Sequence, residues 1–249
     1  MASKPKSEAK PTDSRAKIVD ALMELAAEGK FEDISIRDIC KRADVSLADF
    51  RDAFPSKGAV LAALSRRIDR AVLSQESDEL LDESPRERLF DILMRRLEAM
   101  APYKQGLREA AAWLRREPMA ALAMNQVVMT SMRFMLEAAG IELDGGGAAA
   151  VKLQGLALAW SRILNVWLDD EDPGLSKTMA ELDRELTRGE RAVAAVDRAN
   201  DFAWPLRALA QAAFDMRGRR RERPRRARKG DEDQGGADEA GAAGDASLA

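Results

Sequence analysis

Histidine is absent from this chain, and cysteine occurs only once, at Cys40. A single cysteine excludes a disulfide bond within the chain, and a zinc or iron site that needs His and Cys clusters has no ligands. We therefore expect no metal and no cofactor. Acid–base catalysis would depend on carboxylates, and the Asp and Glu residues show no paired arrangement of the kind that such chemistry uses. An enzyme is therefore the least favoured class of function.

Long apolar runs are missing as well. No stretch approaches the ~20 apolar residues that a membrane-spanning helix needs, and the N-terminus has no apolar signal core. We therefore expect a cytoplasmic protein. β-Branched residues are sparse after Val72, whereas Ala, Leu, Glu, Asp and Arg dominate, and this composition predicts an all-α fold.

Residues 31–64 predict two short helices around a tight turn, followed by a break at Pro55 and a longer helix. Ser35 can cap the first short helix, and Ser46 can cap the second. Apolar spacing predicts that each helix buries one face, formed by Ile36, Ile39 and Cys40 in the first and by Leu47, Phe50 and Phe54 in the second. Two helices of about eight residues around a short turn form a helix-turn-helix, whose second helix can enter the major groove of DNA.

This stretch contains three motifs in a fixed order, which are Ile36-Arg37-Asp38-Ile39, Ala43-x-Val45-Ser46 and Phe54-Pro55-Ser56-Lys57. Over residues 14–64 they resemble the DNA-binding domain of the tetracycline-repressor (TetR) family. The resemblance implies a dimeric one-component transcription regulator. Such a protein has a helical N-terminal DNA reader and a helical C-terminal domain that dimerises and binds a small apolar effector.

The second short helix departs from the family pattern. Where the family usually has a basic residue, a glycine and a hydroxyl residue, this helix begins with Leu47, Ala48 and Asp49. It also carries two carboxylates, Asp49 and Asp52, against Arg51 as its one basic residue. Carboxylates that face phosphates are repelled, although an Asp can accept a hydrogen bond from a cytosine amine.

The family's binding mode implies which residues contact DNA. Ser35, Ser46 and Lys57 would contact phosphates, and Arg51 would donate to a base edge or a phosphate. The full predicted set is Ser35, Arg37, Lys41, Arg42, Ser46, Leu47, Asp49, Arg51 and Lys57. Double-stranded DNA is therefore the expected partner, with a near-palindromic operator bound by two readers.

The C-terminal part predicts several amphipathic helices. The first starts at Ser84-Pro85-Arg86-Glu87, a capping pattern with proline at the first helical position. Residues 119–139 are helical and rich in methionine, which suits an adaptable apolar pocket, although plain core is the commoner use of such spacing. The predicted effector-pocket residues are Met100, Tyr103, Trp113, Met124, Met132 and Trp160.

The helix predicted over residues 148–168 is apolar nearly all round and must be covered on most sides. The helix after it shows a stripe formed by Leu175, Met179, Leu182 and Leu186. The resemblance implies that these two helices form a four-helix bundle with a second copy of the chain, and core packing alone is the alternative. The predicted interface residues of this homodimer are Leu156, Ile163, Leu164, Trp167, Met179 and Leu182.

A second resemblance concerns the same C-terminal part. Residues 88–103 and 151–186, with Ala101-Pro102-Tyr103 and WLDDEDP (residues 167–173) as the cues, resemble the C-terminal domain of the ubiquinone-biosynthesis lipid-binding protein, which shares the TetR fold and reads no DNA. This similarity implies a pocket for an isoprenoid or acyl lipid. A lipid-binding accessory protein is therefore the alternative function.

The predicted domain organisation is an arm over 1–13, a helix-turn-helix domain over 14–75, a helical effector and dimerisation domain over 84–216, and a tail over 217–249. Residues 201–216 predict a last amphipathic helix, and the tail begins with the arginine-rich run RGRRRERPRRARK and continues as an acidic segment. A basic run behind an apolar helix suits an anionic membrane surface or a nucleic-acid backbone. A solvated tail is an equally open alternative.

Overall fold

Helices form the regular secondary structure of residues 11–75, 82–143 and 147–195, the residues that the computed structural model describes. No β-strand occurs within these ranges, and the all-α prediction is confirmed. All of them belong to one unit, residues 1–200. The predicted helix over 201–216 and the tail after it lie outside the described residues, as does most of the predicted arm.

The N-terminal part, which we call the reader, consists of α1 (Pro11–Glu28), α2 (Ile36–Ala43), α3 (Leu47–Ala53) and α4 (Lys57–Leu73), with a 3₁₀ turn at Phe31–Asp33. Its core includes Ile39, Phe50 and Phe54 of the two predicted apolar faces, together with Ile18 and Leu22 of α1 and Leu64 of α4. Two residues predicted to lie on these faces, Ile36 and Leu47, are instead 37% and 53% exposed. Each is the first residue of its helix, and the core covers only the turns that follow.

The two short helices begin in the same way. Ser35 Oγ accepts a hydrogen bond from the backbone N–H of Asp38 at 3.2 Å, and Asp38 Oδ2 accepts one from the N–H of Ser35 at 3.0 Å. Ser46 and Asp49 repeat this reciprocal capping at 3.0 and 2.9 Å. Both predicted caps are therefore confirmed. Asp44 turns the chain between the helices with φ 50° and ψ 48°, a left-handed conformation that Asp tolerates.

The C-terminal part, which we call the body, consists of α5 (Pro85–Met100), α6 (Lys104–Leu114), α7 (Pro118–Ala138), α8 (Gly147–Asp169) and α9, described over 176–195. The predicted cap at Ser84 is confirmed, with Pro85 at the first helical position and Glu87 completing the box. A 3₁₀ turn that contains Pro102, Ala101–Tyr103, separates α5 from α6. None of the described helices has the length and apolar character that a bilayer span requires.

The reader packs on α6 through α1 and the 3₁₀ turn. A Cβ atom added at Gly106 would lie 2.6 Å from the backbone oxygen of Met23, so α6 can approach α1 this closely only because residue 106 is glycine. The rings of Phe31 and Trp113 pack with their centroids 4.8 Å apart. These contacts connect the reader directly to the body.

A buried ion pair connects α4 to the body. Arg96 of α5 is 3% exposed; it forms an ion pair with Asp69 of α4 and donates to Ser65 Oγ at 3.2 Å. Ser131 of α7 donates to Asp69 Oδ1 at 2.8 Å, and the Arg96 guanidinium lies 5.1 Å from the ring centroid of Trp160 in α8. Burial lowers the pKa of Arg96 to about 10, so this side chain stays charged at neutral pH. One cluster therefore connects α4 with α5, α7 and α8.

The joint between α8 and α9 is organised by Asp170, which is 1% exposed. Its Oδ2 accepts hydrogen bonds from the Thr178 hydroxyl at 2.7 Å and from the Thr178 N–H at 2.9 Å. These bonds, the hydroxyl first, lower the pKa of Asp170 below its ordinary value. Lys104 donates to the carbonyl oxygen of Asp170 at 2.5 Å, which attaches α6 to the same joint.

Candidate nucleic-acid interface

An open groove with a volume of about 690 Å³, which we call the α2–α3 groove, lies between the first turn of α2 and helix α3. Its lining residues are Ser35, Ile36, Arg37, Leu47, Ala48, Phe50, Arg51, Phe54 and Pro55. Ser35, Arg37, Leu47 and Arg51 belong to the predicted DNA-contacting set. The structure therefore brings part of that set together on one face of the helix-turn-helix.

The carboxylate of Asp49 turns back on its own helix instead of standing free on the surface. Asp49 Oδ2 accepts hydrogen bonds from the N–H of Ser46 at 2.9 Å and from its hydroxyl at 2.6 Å. A carboxylate in the first turn also interacts favourably with the positive end of the helix dipole. The acidic residue near the start of α3 is thus explained by capping. The spacing Ser46-x-x-Asp49, like Ser84-x-x-Glu87, is the sequence signal for this role.

The hydroxyl groups of Ser35 and Ser46 are engaged in the same caps. Each accepts from a backbone N–H and donates to the carboxylate three residues later, at 2.5 Å for Ser35 and 2.6 Å for Ser46. These serines therefore set where α2 and α3 begin. A phosphate that contacted either serine would compete for a hydroxyl proton that is already donated to the capping carboxylate.

Arg42, predicted to contact DNA, is bound within the reader. Its guanidinium forms two hydrogen bonds with Glu28, at 2.7 and 2.8 Å, and one with Glu24 at 3.2 Å. The bonds with Glu28, followed by that with Glu24, raise the pKa of Arg42, and the same pairing lowers the pKa of Glu28. Arg42 therefore attaches α2 to α1, and this geometry does not fit the predicted DNA contact.

Lys57, predicted to lie near a phosphate, points into the reader. Its Nζ donates to the carbonyl oxygens of Ile34 at 2.6 Å and Phe31 at 3.0 Å, and it lies 5.2 Å from the Phe31 ring centroid. Burial lowers the pKa of Lys57. The ammonium group thus connects the start of α4 to the 3₁₀ turn, and this geometry does not fit a phosphate contact.

Three other cations of the predicted set remain exposed on α2 and α3, namely Arg37, Lys41 and Arg51. Within the part of the chain that the structure describes, none of their side chains forms an ion pair or a hydrogen bond. Arg37 and Arg51 line the α2–α3 groove. Positive charge is therefore available on the same face as the exposed start of α3.

The residues of the predicted effector pocket have different surroundings. Trp113 packs on Phe31, and the Tyr103 hydroxyl accepts from Arg67 at 3.0 Å, so both lie where the reader meets the body. The others lie in or against the core of the body, where Met100, Met132 and Trp160 are buried and Met124 is partly buried. For these methionines the core interpretation of the helical spacing fits better.

The predicted dimer residues also divide into two groups. Ile163, Trp167 and Leu182 are almost completely buried within a single chain, so they belong to the protomer core and the interface prediction does not fit them. Met179 is 41% exposed, while Leu156 and Leu164 are partly buried. Val151 at 60% and Leu158 at 48% exposure are further apolar residues on the surface of α8.

Sequence reasoning missed Gly106 and the pair formed by Asp69 and Arg96. The signal for Arg96 is its position within the apolar stripe of α5, between Leu93 and Leu97, where a charged residue needs a buried partner. Among the described residues, no three His, Cys, Asp or Glu side chains are grouped so that they could hold a metal ion.

No protein-family model matches this chain. A curated relative, the HTH-type transcriptional repressor KstR of Mycolicibacterium smegmatis (strain ATCC 700084 / mc(2)155), is 33% identical over 78 residues, which are 31% of this chain and 38% of the relative. The match thus spans well under half of that repressor.

Solved structures match a larger part of this chain. The TetR transcriptional regulator from Nitrosomonas europaea ATCC 19718 matches with a TM-score of 0.58 and 26% identity, over 71% of this chain and 97% of that one. A TetR regulator from Rhodococcus sp. RHA1 shares the fold, with a TM-score of 0.51 and 19% identity over 72% of this chain and 96% of its own. Because the likeness includes both reader and body, this chain has the fold of TetR transcriptional regulators and resembles one of them in sequence at 26% identity.

Proposed function

We propose that this protein is a dimeric DNA-binding repressor that a small apolar effector releases from a near-palindromic operator. The observation that carries the proposal is the α2–α3 groove, where the exposed start of α3 lies beside Arg37 and Arg51. A protein that acts on chromosomal DNA in this way works in the cytoplasm.

Helix α3 is the element that enters the major groove in this proposal. The first residues of such a helix contact base edges, while the preceding helix positions the domain on the backbone. Arg37, Lys41 and Arg51 supply the positive charge, because Arg42 is paired with Glu28 and Lys57 donates to backbone carbonyl groups of the reader. Backbone N–H groups at the start of α2 add a further attraction for phosphate.

The homodimer of this proposal forms through α8 and α9. Val151, Leu158 and Met179 are large apolar side chains that a single chain leaves exposed there. A twofold interface brings the same patch of both copies together, and a second copy would cover these residues. It would also place two readers side by side, as two half-sites of an operator require.

The effector acts through the contacts between reader and body. Gly106 allows α6 to pack closely against α1, and the ion pair of Asp69 and Arg96 joins α4 to α5. A ligand that binds one arrangement of the body helices more tightly shifts the reader spacing toward that arrangement. Apart from buried polar residues such as Arg96 and Asp170, the interior of the body is apolar and includes Met132 and Met135, so the ligand is expected to be apolar as well.

The lipid-binding alternative rests on the similarity of segments 101–103 and 167–173 to a lipid-binding protein, and the acidic character of α3 favours it as well. Capping now accounts for Asp49, and Asp52, which is exposed like Asp49, is the carboxylate of that helix that capping does not explain. The alternative therefore keeps that similarity, Asp52 and the methionine-rich body as its support. It stays a possible outcome of the test below.

Selection of genomic DNA fragments with the purified full chain, at about 150 mM salt, tests the proposal. The expected result is one enriched near-palindrome whose half-sites are protected about one helical turn apart in a footprint. Arg51→Ala should remove the footprint, whereas Arg66→Ala, an exposed arginine on α4 outside the groove, should keep it. The proposal would be wrong if no fragment were enriched and the protein instead carried a lipid detectable by mass spectrometry.

A further inference from the structure

The α2–α3 groove is more apolar than a phosphate-binding surface needs to be. Leu47, the first residue of α3, is 53% exposed, and Ile36, the first residue of α2, is 37% exposed. Both line the groove, together with the exposed Ala48 and the buried ring of Phe50. None of these side chains can bond to a phosphate oxygen. Because these aliphatic side chains are grouped in one groove, they form a small apolar patch that an apolar group on a bound partner can cover.

The polar side chains at the start of α3 are already occupied. The Ser46 hydroxyl and the Asp49 carboxylate are bonded to each other and to the backbone of the cap. Leu47 and Ala48 are the exposed side chains left in that turn, and Arg51 follows at i+4 from Leu47 on the same side of the helix. The helix thus presents an aliphatic pair followed by a guanidinium group.

Major-groove chemistry identifies what such a surface can recognise. Thymine carries the C5-methyl group there, and apolar side chains contact that methyl, whereas arginine pairs with the O6 and N7 atoms of guanine. We propose that Leu47, assisted by Ala48, is a specificity-determining residue that selects a thymine in each half-site through its C5-methyl group. This inference rests on the proposed function, because it requires that α3 reads DNA.

Replacing thymine by deoxyuridine tests the inference with the unmodified protein, since this change removes only the methyl group. Each thymine of the operator is replaced in turn, in one half-site and then in both. Replacement at one thymine position should weaken binding about fourfold in one half-site, the loss expected for one buried methyl group. Replacement in both half-sites should weaken it about fifteenfold. Other thymines should show no such effect.

A variant of Leu47 tests whether its side chain makes the contact with the thymine methyl group. Leu47→Ala should bind the thymine and deoxyuridine operators with equal affinity, because the side chain that meets the methyl group has been shortened. Leu73→Ala is the matched control, since Leu73 is a 38% exposed leucine that does not line the groove. That variant should keep the full difference between the two operators.

The possible failures are distinguishable. If the protein binds an operator but no deoxyuridine position weakens it, the inference is overturned and the repressor proposal stands. If Leu47→Ala keeps the difference between the two operators, thymine selection is real but Leu47 is not its cause, and the inference is again overturned. If no operator is bound at all, the proposed function and the inference fail together.

Discussion

The buried pair of Asp69 and Arg96 allows the sharpest test of how the reader is attached to the body. Asp69→Asn keeps the size of the side chain and its place beside Ser131, but it removes the negative charge that faces Arg96. Arg96 is 3% exposed, and its pKa of about 10 keeps it charged at neutral pH. The variant therefore contains a buried guanidinium without its counter-charge.

The expected cost follows from that geometry. Leaving one member of a buried ion pair unpaired costs about 3–5 kcal/mol of unfolding free energy. For a protein of this size, each kcal/mol lowers the melting temperature by roughly 2–4 °C, so a fall on the order of 10 °C is expected. Adding Arg96→Met to Asp69→Asn removes the unpaired charge and should recover more than half of the loss.

Thermal unfolding followed by circular dichroism, at one fixed protein concentration, measures these differences. Arg70→Met is the matched control for Arg96→Met. Arg70 is an exposed arginine on α4, the helix that carries Asp69, and its replacement should lower the unfolding free energy by less than about 0.5 kcal/mol. The reasoning would be refuted if Asp69→Asn melted within 2 °C of the parent protein, a fall that corresponds to about 1 kcal/mol or less. A double variant less stable than Asp69→Asn would refute it equally.

Three further predictions concern other contacts. Gly106→Ala places a Cβ 2.6 Å from a backbone oxygen of α1 and should lower the unfolding free energy by about 1–3 kcal/mol, whereas Gly155→Ala, where nothing lies within 4 Å, should be neutral or stabilising in the same melting experiment. Hydrogen bonds from Thr178 of α9 lower the pKa of Asp170 below its ordinary value of 3.8. The ionised Asp170 therefore stabilises the folded protein fully above about pH 3.8, and this contribution is lost as the pH falls through the lower pKa of the folded state. Asp170→Asn should therefore flatten the acid side of melting temperature plotted against pH, and an unchanged curve would exclude this role. Lys41→Met should reduce the slope of log affinity for DNA against log salt concentration by about 1, while Lys57→Met should lower stability and leave that slope unchanged.

Local patterns in the sequence determined the helices and where they begin. The short helices start at the predicted Ser35 and Ser46, and α5 starts at the predicted Ser84 with proline in the first position. Each cap depends on residues within one turn of each other, so nearby residue types suffice to predict it. The same holds for the helix-turn-helix, because its turn and its two apolar faces are encoded within 31–64.

Contacts between distant residues decided which side chains remain available for function. Arg42 and Lys57 look like phosphate ligands in the sequence, but residues of the reader that lie 14 to 26 positions away in the chain bind them instead. Ile163 and Met179 both look like interface residues, yet one is buried in the protomer and the other is exposed. Helical spacing shows that a residue lies on an apolar face, but which neighbour covers that face depends on how the helices pack in three dimensions.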